Sequence, residues 1–388
     1  MQYRHLSLLA LASSVLAQDN PNNTQSLNAT LSGNDQLSNL TSFLSLDPRL
    51  LETLSQANNI TILAPSNDAF TEFASTDAGR DVASNPGLLA ALLQYHVLNG
   101  TFQSSQVSNT STFIPTLLTN ETYANVTGGQ VVEAIQVGNE TVFYSGLLQN
   151  ATVTTADQNF TGGVVHIVDR VLALPASVLD TANAVNLTSL RGAVNATDQV
   201  DAVNQRDITI FAPNNEAFNS IGSALANLST EDLRSIIDYH VVDEIRYSDS
   251  LENGTTLETA ADEDLTITIV NETVFVNAAE VVVPNILIAN GVLHIIDNVL
   301  NPDNTAAPSE SATAGAPGFT GSAVSEQPFT SGQPTPTTQI NPTSEGAGPA
   351  QTAAESSSSS GVAMPMMTGG VEYAALLGAG AAVFFGAA

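Results

Sequence analysis

The chain has 388 residues, a formal net charge of −30, eight Lys-plus-Arg residues that are all Arg, and no Cys. So acidic a surface repels phosphate backbones, which excludes nucleic-acid partners and favours cations or basic ones. Without Cys there is no thiol catalysis, no thiolate zinc site and no disulfide, so each domain must bury a core sufficient by itself.

Residues 1–17 read as a secretory signal: Arg4 and His5 precede an apolar run at 6–12, and Val15-Leu16-Ala17 offers a small-residue cleavage site before Gln18. Residues 18–33 are polar and are expected to be disordered. A first domain, 34–174, opens with a helical pattern at Leu37, Leu40, Phe43 and Leu44, which stops at Asp47-Pro48 and resumes through Leu50, Leu51 and Leu54. Residues 60–63 predict a buried strand that Pro65 ends, and Ser66-Asn67 caps a short helix carrying Ala69 and Phe70. Asn85-Pro86 starts a helix through Gln94. Residues 131–137 and 141–144 predict strands around a Gly138-Asn139 turn, and 164–168 a last strand after Gly162-Gly163. In a second domain, 177–301, Ser229 and Asp232 form a capping box before a helix over 233–238. Residues 265–270 and 273–276 flank an Asn271-Glu272 turn, and 292–296 close the domain after Asn290-Gly291.

From 302 to 361 the composition turns to Ser, Thr, Pro, Gly and Ala, which predicts an extended, O-glycosylated stalk. Residues 362–388 combine a spacer with an apolar tail from Tyr373 onward. Together with the small residues at 359–361, this is the layout of a glycosylphosphatidylinositol attachment signal, with Ser359 as the preferred attachment residue. The tail is short against the roughly 20 apolar residues a membrane span needs. Asn-x-Ser/Thr occurs sixteen times, at Asn22, Asn28, Asn39, Asn59, Asn99, Asn109, Asn120, Asn125, Asn139, Asn150, Asn159, Asn186, Asn195, Asn227, Asn253 and Asn271. Each used site must lie on the surface. Asn139 and Asn271 occupy the same Asn-Glu-Thr-Val-Phe segment, at a predicted hairpin turn.

Three motifs occur twice in the same order. Thr61-Ile-Leu-Ala-Pro-Ser-Asn-Asp-Ala-Phe70 matches Thr209-Ile-Phe-Ala-Pro-Asn-Asn-Glu-Ala-Phe218. Tyr95-His96-Val97 matches Tyr239-His240-Val241, and Gly163-Val-Val-His166-Ile-Val-Asp169 matches Gly291-Val-Leu-His294-Ile-Ile-Asp297. The unit repeated is a whole domain. These motifs resemble the fasciclin-type (FAS1) domain, over about 34–174 and 177–301. The resemblance implies an α+β fold, two tandem wedges each a β-sandwich flanked by helices. It implies extracellular adhesion or matrix binding rather than catalysis, in a layout typical of lipid-anchored fungal surface proteins. Expected partners are cell-surface or matrix proteins, wall polysaccharide, and a membrane reached through the lipid anchor. A polysaccharide-binding structural role in the wall and a vacuolar or endomembrane location are the alternatives. Family adhesion motifs map to Tyr95, His96, Tyr239 and His240 with their aliphatic neighbours, and to Asp169 and Asp297. Those two are followed here by Arg170-Val171 and Asn298-Val299 where the motif has Ile.

His96, His166, His240 and His294 all belong to duplicated motifs, the pattern of a repeated scaffold rather than of one active site. His166 and Asp169, like His294 and Asp297, are three apart on a strand and face opposite sides. No nucleophile elbow, metalloprotease helix or phosphate loop is present, so no catalytic residue, cofactor or metal ligand is assigned. Asp262-Glu263-Asp264 lacks the spacing of a calcium loop and reads as a solvated hairpin edge.

Overall fold

The computed structural model describes residues 25–46 and 48–335. Each domain is built on one seven-stranded sheet. In the first the strands are β1 (Ile60–Pro65), β2 (Val97–Asn99), β3 (Thr112–Pro115), β4 (Val131–Val137), β5 (Glu140–Tyr144), β6 (Asn150–Phe160) and β7 (Gly163–Val168), in the order β2-β1-β7-β6-β5-β4-β3. In the second, β8 (Ile208–Pro213), β9 (Val241–Val242), β10 (Thr256–Glu258), β11 (Asp264–Val270), β12 (Thr273–Val276), β13 (Ala279–Ile288) and β14 (Gly291–Ile296) repeat that order. Of the strand pairs within these two sheets, β1–β7 and β8–β14 are parallel and the others antiparallel. Each sheet curls until its edges meet: Leu117 N donates to Val97 O in one domain and Ala260 N to Val241 O in the other, both at 2.8 Å. The curl turns one sheet into the two facing layers of a sandwich, as the resemblance implies.

Strand β1 is buried throughout because both its faces are covered, and its polar residue, Thr61, donates its hydroxyl to Gly100 O. Ile60, Ile62 and Ala64 join the core under the helices, while Leu63 joins the core inside the curl. In β8, Ile208, Ile210 and Ala212 separate from Phe211 in the same way. The glycines opening β7 and β14 are dictated by this packing. A Cβ on Gly163 would overlap the Ile60 carbonyl, and one on Gly291 the Ile208 carbonyl. The helices begin where the capping residues place them. Ser66 Oγ accepts from Ala69 N, Asn85 Oδ1 from Gly87 N, and Ser229 Oγ from Asp232 N.

Three observations depart from the sequence expectations. Residues 27–32 of the expected disordered segment form the helix Leu27–Ser32, because Leu27 and Leu31 share one buried face and Ser26 caps it. The long strands β6 and β13 were not anticipated. Residues 302–335, expected to begin an extended stalk, lie along the second domain: Gly315 N donates to Asp297 Oδ2 and Ser322 N to Ser223 Oγ. The rest of the stalk, the secretory signal, Ser359 and the apolar tail fall outside the described residues. Among the described residues no helix is long and apolar enough to cross a membrane.

Candidate functional site

The duplicated motifs converge on internal pins. Tyr95 ends the helix Pro86–Tyr95 and donates its hydroxyl to Val131 O at 2.9 Å; Tyr239 ends Thr230–Tyr239 and donates to Asp264 O at 2.9 Å. Each following histidine ties its helix to the segment that follows the closing strand. His96 Nδ1 donates to Leu92 O at 2.7 Å and its Nε2 accepts from Leu172 N at 2.9 Å. His240 repeats this with Ile236 O at 2.6 Å and Leu300 N at 2.9 Å. Since Nε2 faces an N–H donor, each ring is the neutral Nδ1–H tautomer, and burial pushes both pKa values down to about 4.

The second pair of histidines plugs bulges in the long strands. His166 Nδ1 accepts from Asp157 N and His294 Nδ1 from Asn285 N, both at 3.2 Å. Their Nε2–H groups donate to Phe102 O and Arg246 O at 2.8 Å. Asp157 and Asn285 have φ of 58° and 64°, and the strand register shifts beside each. Burial lowers the pKa of His166, and that of His294 to about 4. Although an Asp157 carboxylate oxygen stands 3.9 Å from His166 Nδ1, that nitrogen is already accepting a backbone proton and the ring is neutral.

Asp169 and Asp297 face away from these histidines. Asp169 Oδ1 accepts from Thr152 N at 2.7 Å and Asp297 Oδ1 from Glu280 N at 2.8 Å, tying β7 to β6 and β14 to β13. Of the residues mapped as an adhesion motif, Tyr95, His96, Tyr239 and His240 are buried, so a partner touching the folded domains meets none of their side chains. Their contribution is architectural. Asp262 and Glu263 lie in the turn before β11 and Asp264 opens that strand, and among the described residues no cluster of His, Asp or Glu is arranged to hold a metal ion.

The residues that sequence reasoning missed lie where the two domains meet. Phe113 stacks on Tyr247 with ring centroids 4.0 Å apart and planes within 9°. Gln130, fully buried, donates to Ile288 O at 3.0 Å, and Asn125 N donates to Ala289 O at 2.7 Å. Asp207 accepts from Thr127 N at 2.6 Å and from its hydroxyl at 2.5 Å, and Arg206 reaches Glu121 at 3.0 Å. Glu133, 2% exposed, accepts from Ser111 Oγ at 2.5 Å and from Asn285 Nδ2 at 3.4 Å. Its pKa is raised to about 7, by burial first and by the Asp249 charge last.

This seam is built from residues that are not duplicated. Phe113 pairs with Glu133 across β3–β4, and the matching cross-strand pair of β10–β11 is Thr256 with Thr266. Tyr247 follows the carbonyl that His294 binds; its counterpart following Phe102 is Gln103. Asn285, the bulge residue, corresponds to Asp157. Short-range sequence patterns gave no signal here because these residues, paired across the seam, are 80 or more positions apart.

The sequence profile of the fasciclin domain matches residues 35–175 and 185–302. The chain belongs to the fasciclin-domain family. It is 38% identical over 322 residues to a fasciclin-like arabinogalactan protein of Arthroderma benhamiae, covering 81% of this chain and 76% of that one. The fasciclin-like arabinogalactan protein elcF of Phaeosphaeria nodorum is 30% identical over 72% of this chain and 89% of its own. Human periostin is 29% identical over 66% of this chain, which spans 30% of periostin.

On this pair of fasciclin domains the sequons sit mostly outward. Asn139 and Asn271 occupy exposed hairpin turns as expected, and only Asn39, Asn125 and Asn186 of the described sequons are half-buried. Asn22 falls outside the described residues. An open cleft of about 580 Å³ on the second domain is lined by Asn186, Asn214, Asn215, Glu216 and Glu280, together with Val282 and Val283.

Proposed function

We propose that this fasciclin-domain protein acts by binding rather than by chemistry, as a secreted cell-surface protein mediating contact with other cells, matrix proteins or wall material. The observation that carries this reading is the internal use of the duplicated motifs. All four motif histidines spend both ring nitrogens on backbone groups, and Asp169 and Asp297 tie strands together. What faces outward is an acidic, sequon-bearing surface, suited to weak contacts summed over many copies. The expected route is the secretory one, with a lipid anchor at Ser359 holding the chain on the outer membrane face. In this reading a phosphatidylinositol-specific phospholipase releases the protein from cells, and deletion of its gene weakens cell–cell or cell–substratum attachment. Unchanged attachment in deletion cells sinks the adhesion reading.

A wall polysaccharide is the second partner class. The cleft on the second domain, lined by carboxylates and amides together with apolar side chains, has the chemistry of a sugar-binding surface, and the fungal relatives are named as arabinogalactan proteins. Binding of the mature chain to a glycan array, lost in Glu216→Ala, separates this reading from protein-mediated adhesion.

A further inference from the structure

In the first domain the helix Ser38–Leu46 lays Phe43 flat on Phe70, with ring centroids 4.9 Å apart and planes within 13°. The second domain has the same helix at Thr188–Ala196, and a shared contact fixes the correspondence. Asn67 Oδ1 accepts from Asn39 N, and Asn215 Oδ1 accepts from Ser189 N. Counting four residues on from each, Phe43 corresponds to Ala193. The second domain therefore keeps the lower ring, Phe218, and has lost the upper one. The result is an apolar groove among Leu190, Ala193, Phe218, Leu233 and Ile237.

That groove is filled from elsewhere in the chain. Phe329 packs edge-on against Phe218, with centroids 6.1 Å apart and planes at 83°, and leaves a residual apolar cavity of about 20 Å³. Its carbonyl lies so close to Gly192 that any side chain there would collide. Phe329 itself has φ 60°, a conformation that an aromatic residue holds only where its contacts dictate it. Val324 sits over Gly222 by the same device. Polar contacts set the register: Ser189 Oγ donates to Pro328 O at 2.8 Å, Val324 N to Asn219 Oδ1 at 3.1 Å, and Arg191 to Gln333 at 3.1 Å.

Residues 315–333 add no strand to the sheet, and the helices and ladder of the domain are complete by Leu300. Among the described residues the first domain forms the same fold with no such strap. We propose that the groove is a docking site for an extended, Phe-bearing peptide segment, and that residues 315–333 are its resident, exchangeable ligand.

The test uses the full chain with a protease recognition sequence replacing residues 306–312. After cleavage the C-terminal piece co-elutes with the domain pair, and a labelled peptide of residues 315–335 exchanges into the groove saturably. Phe329→Ala in the peptide weakens binding on the order of 100-fold. Ala193→Phe, which restores the ring that the first domain carries, closes the groove to the wild-type peptide. The Phe329→Ala peptide arm leaves the domain pair unaltered and stands even where Ala193→Phe fails to fold. Loss of the cleaved piece at the same rate with and without Phe329→Ala, equal affinity of both peptides, or failure of the labelled peptide to exchange overturns the proposal.

Discussion

Asn285 of the second domain donates its amide to Glu133 of the first across 3.4 Å, inside a seam where Glu133 is 2% exposed. The charge that shifts Glu133 is the Asp249 carboxylate, and no cation is among the groups that shift it. Burial therefore favours the protonated acid in the folded pair. A carboxyl raised from its ordinary 4.5 to about 7 stabilises fully below pH 4.5 and loses that contribution as pH rises to about 7. The whole effect is about 3 kcal/mol. Asp249, itself raised by burial, acts with the same sign. Denaturant unfolding of Glu133→Gln is expected to lack this decline, so that the variant is the more stable protein at pH 8. Parallel pH profiles for both proteins would refute the assignment.

The buried histidines act in the opposite sense. His96, His240 and His294 hold pKa values near 4 against an ordinary 6.5. Their neutral forms stabilise the fold fully above pH 6.5, and that contribution is lost as pH falls toward 4. With Glu133→Gln as background, thermal stability is expected to drop on acidification through that window.

His96→Ala and His240→Ala are expected to destabilise their domains equally, by about 2–4 kcal/mol, because each leaves a buried N–H, that of Leu172 or Leu300, without a partner and takes a side-chain hydrogen bond from a helix-end carbonyl, that of Leu92 or Ile236. Calorimetry on the full chain measures both. A large loss for one and none for the other would point to a role in one domain beyond the shared scaffold.

Phe113→Ala and Tyr247→Ala are expected to couple by about 1 kcal/mol in a double-mutant cycle, since the rings stack on each other across the seam. Additive losses would mean that the stack does not join the domains energetically.

Gly163→Ala and Gly291→Ala drive a methyl into the carbonyl of the parallel partner strand. Each is expected to cost more than about 3 kcal/mol, placing it among the severe backbone clashes. Limited proteolysis of the secreted chain reads the outcome as cleavage confined to the altered domain.

Much of the fold was legible because it is written in local signals. Ser66, Asn85 and Ser229 start helices where a capping side chain meets orphan N–H groups, and Gly138-Asn139 and Asn271-Glu272 turn hairpins between alternating strands. The strand Asn150–Phe160 escaped notice since Asn, Thr, Asp and Gln fill it and the Asp157 bulge breaks its alternation. Pro284 likewise obscured Ala279–Ile288. The scaffold role of the histidines followed from their duplication alone. The seam and the strap did not, because Phe113 with Tyr247 and Phe218 with Phe329 are brought together only by the finished fold.

The unlike residues at the seam also limit how far the tandem can grow. The surface on the first domain that matches the Tyr247 side presents Gln103 and Asp157, and the edge on the second domain that matches the Phe113 side presents Thr256 and Thr266. Stacking another molecule onto either end by the same contact would set threonine against glutamine where two rings belong, and an uncompensated carboxylate where an amide belongs. Head-to-tail contacts of this kind build open filaments when both ends stay adhesive. Here neither outer face carries the ring of this seam, so the Phe113–Tyr247 stack has no counterpart to repeat between copies.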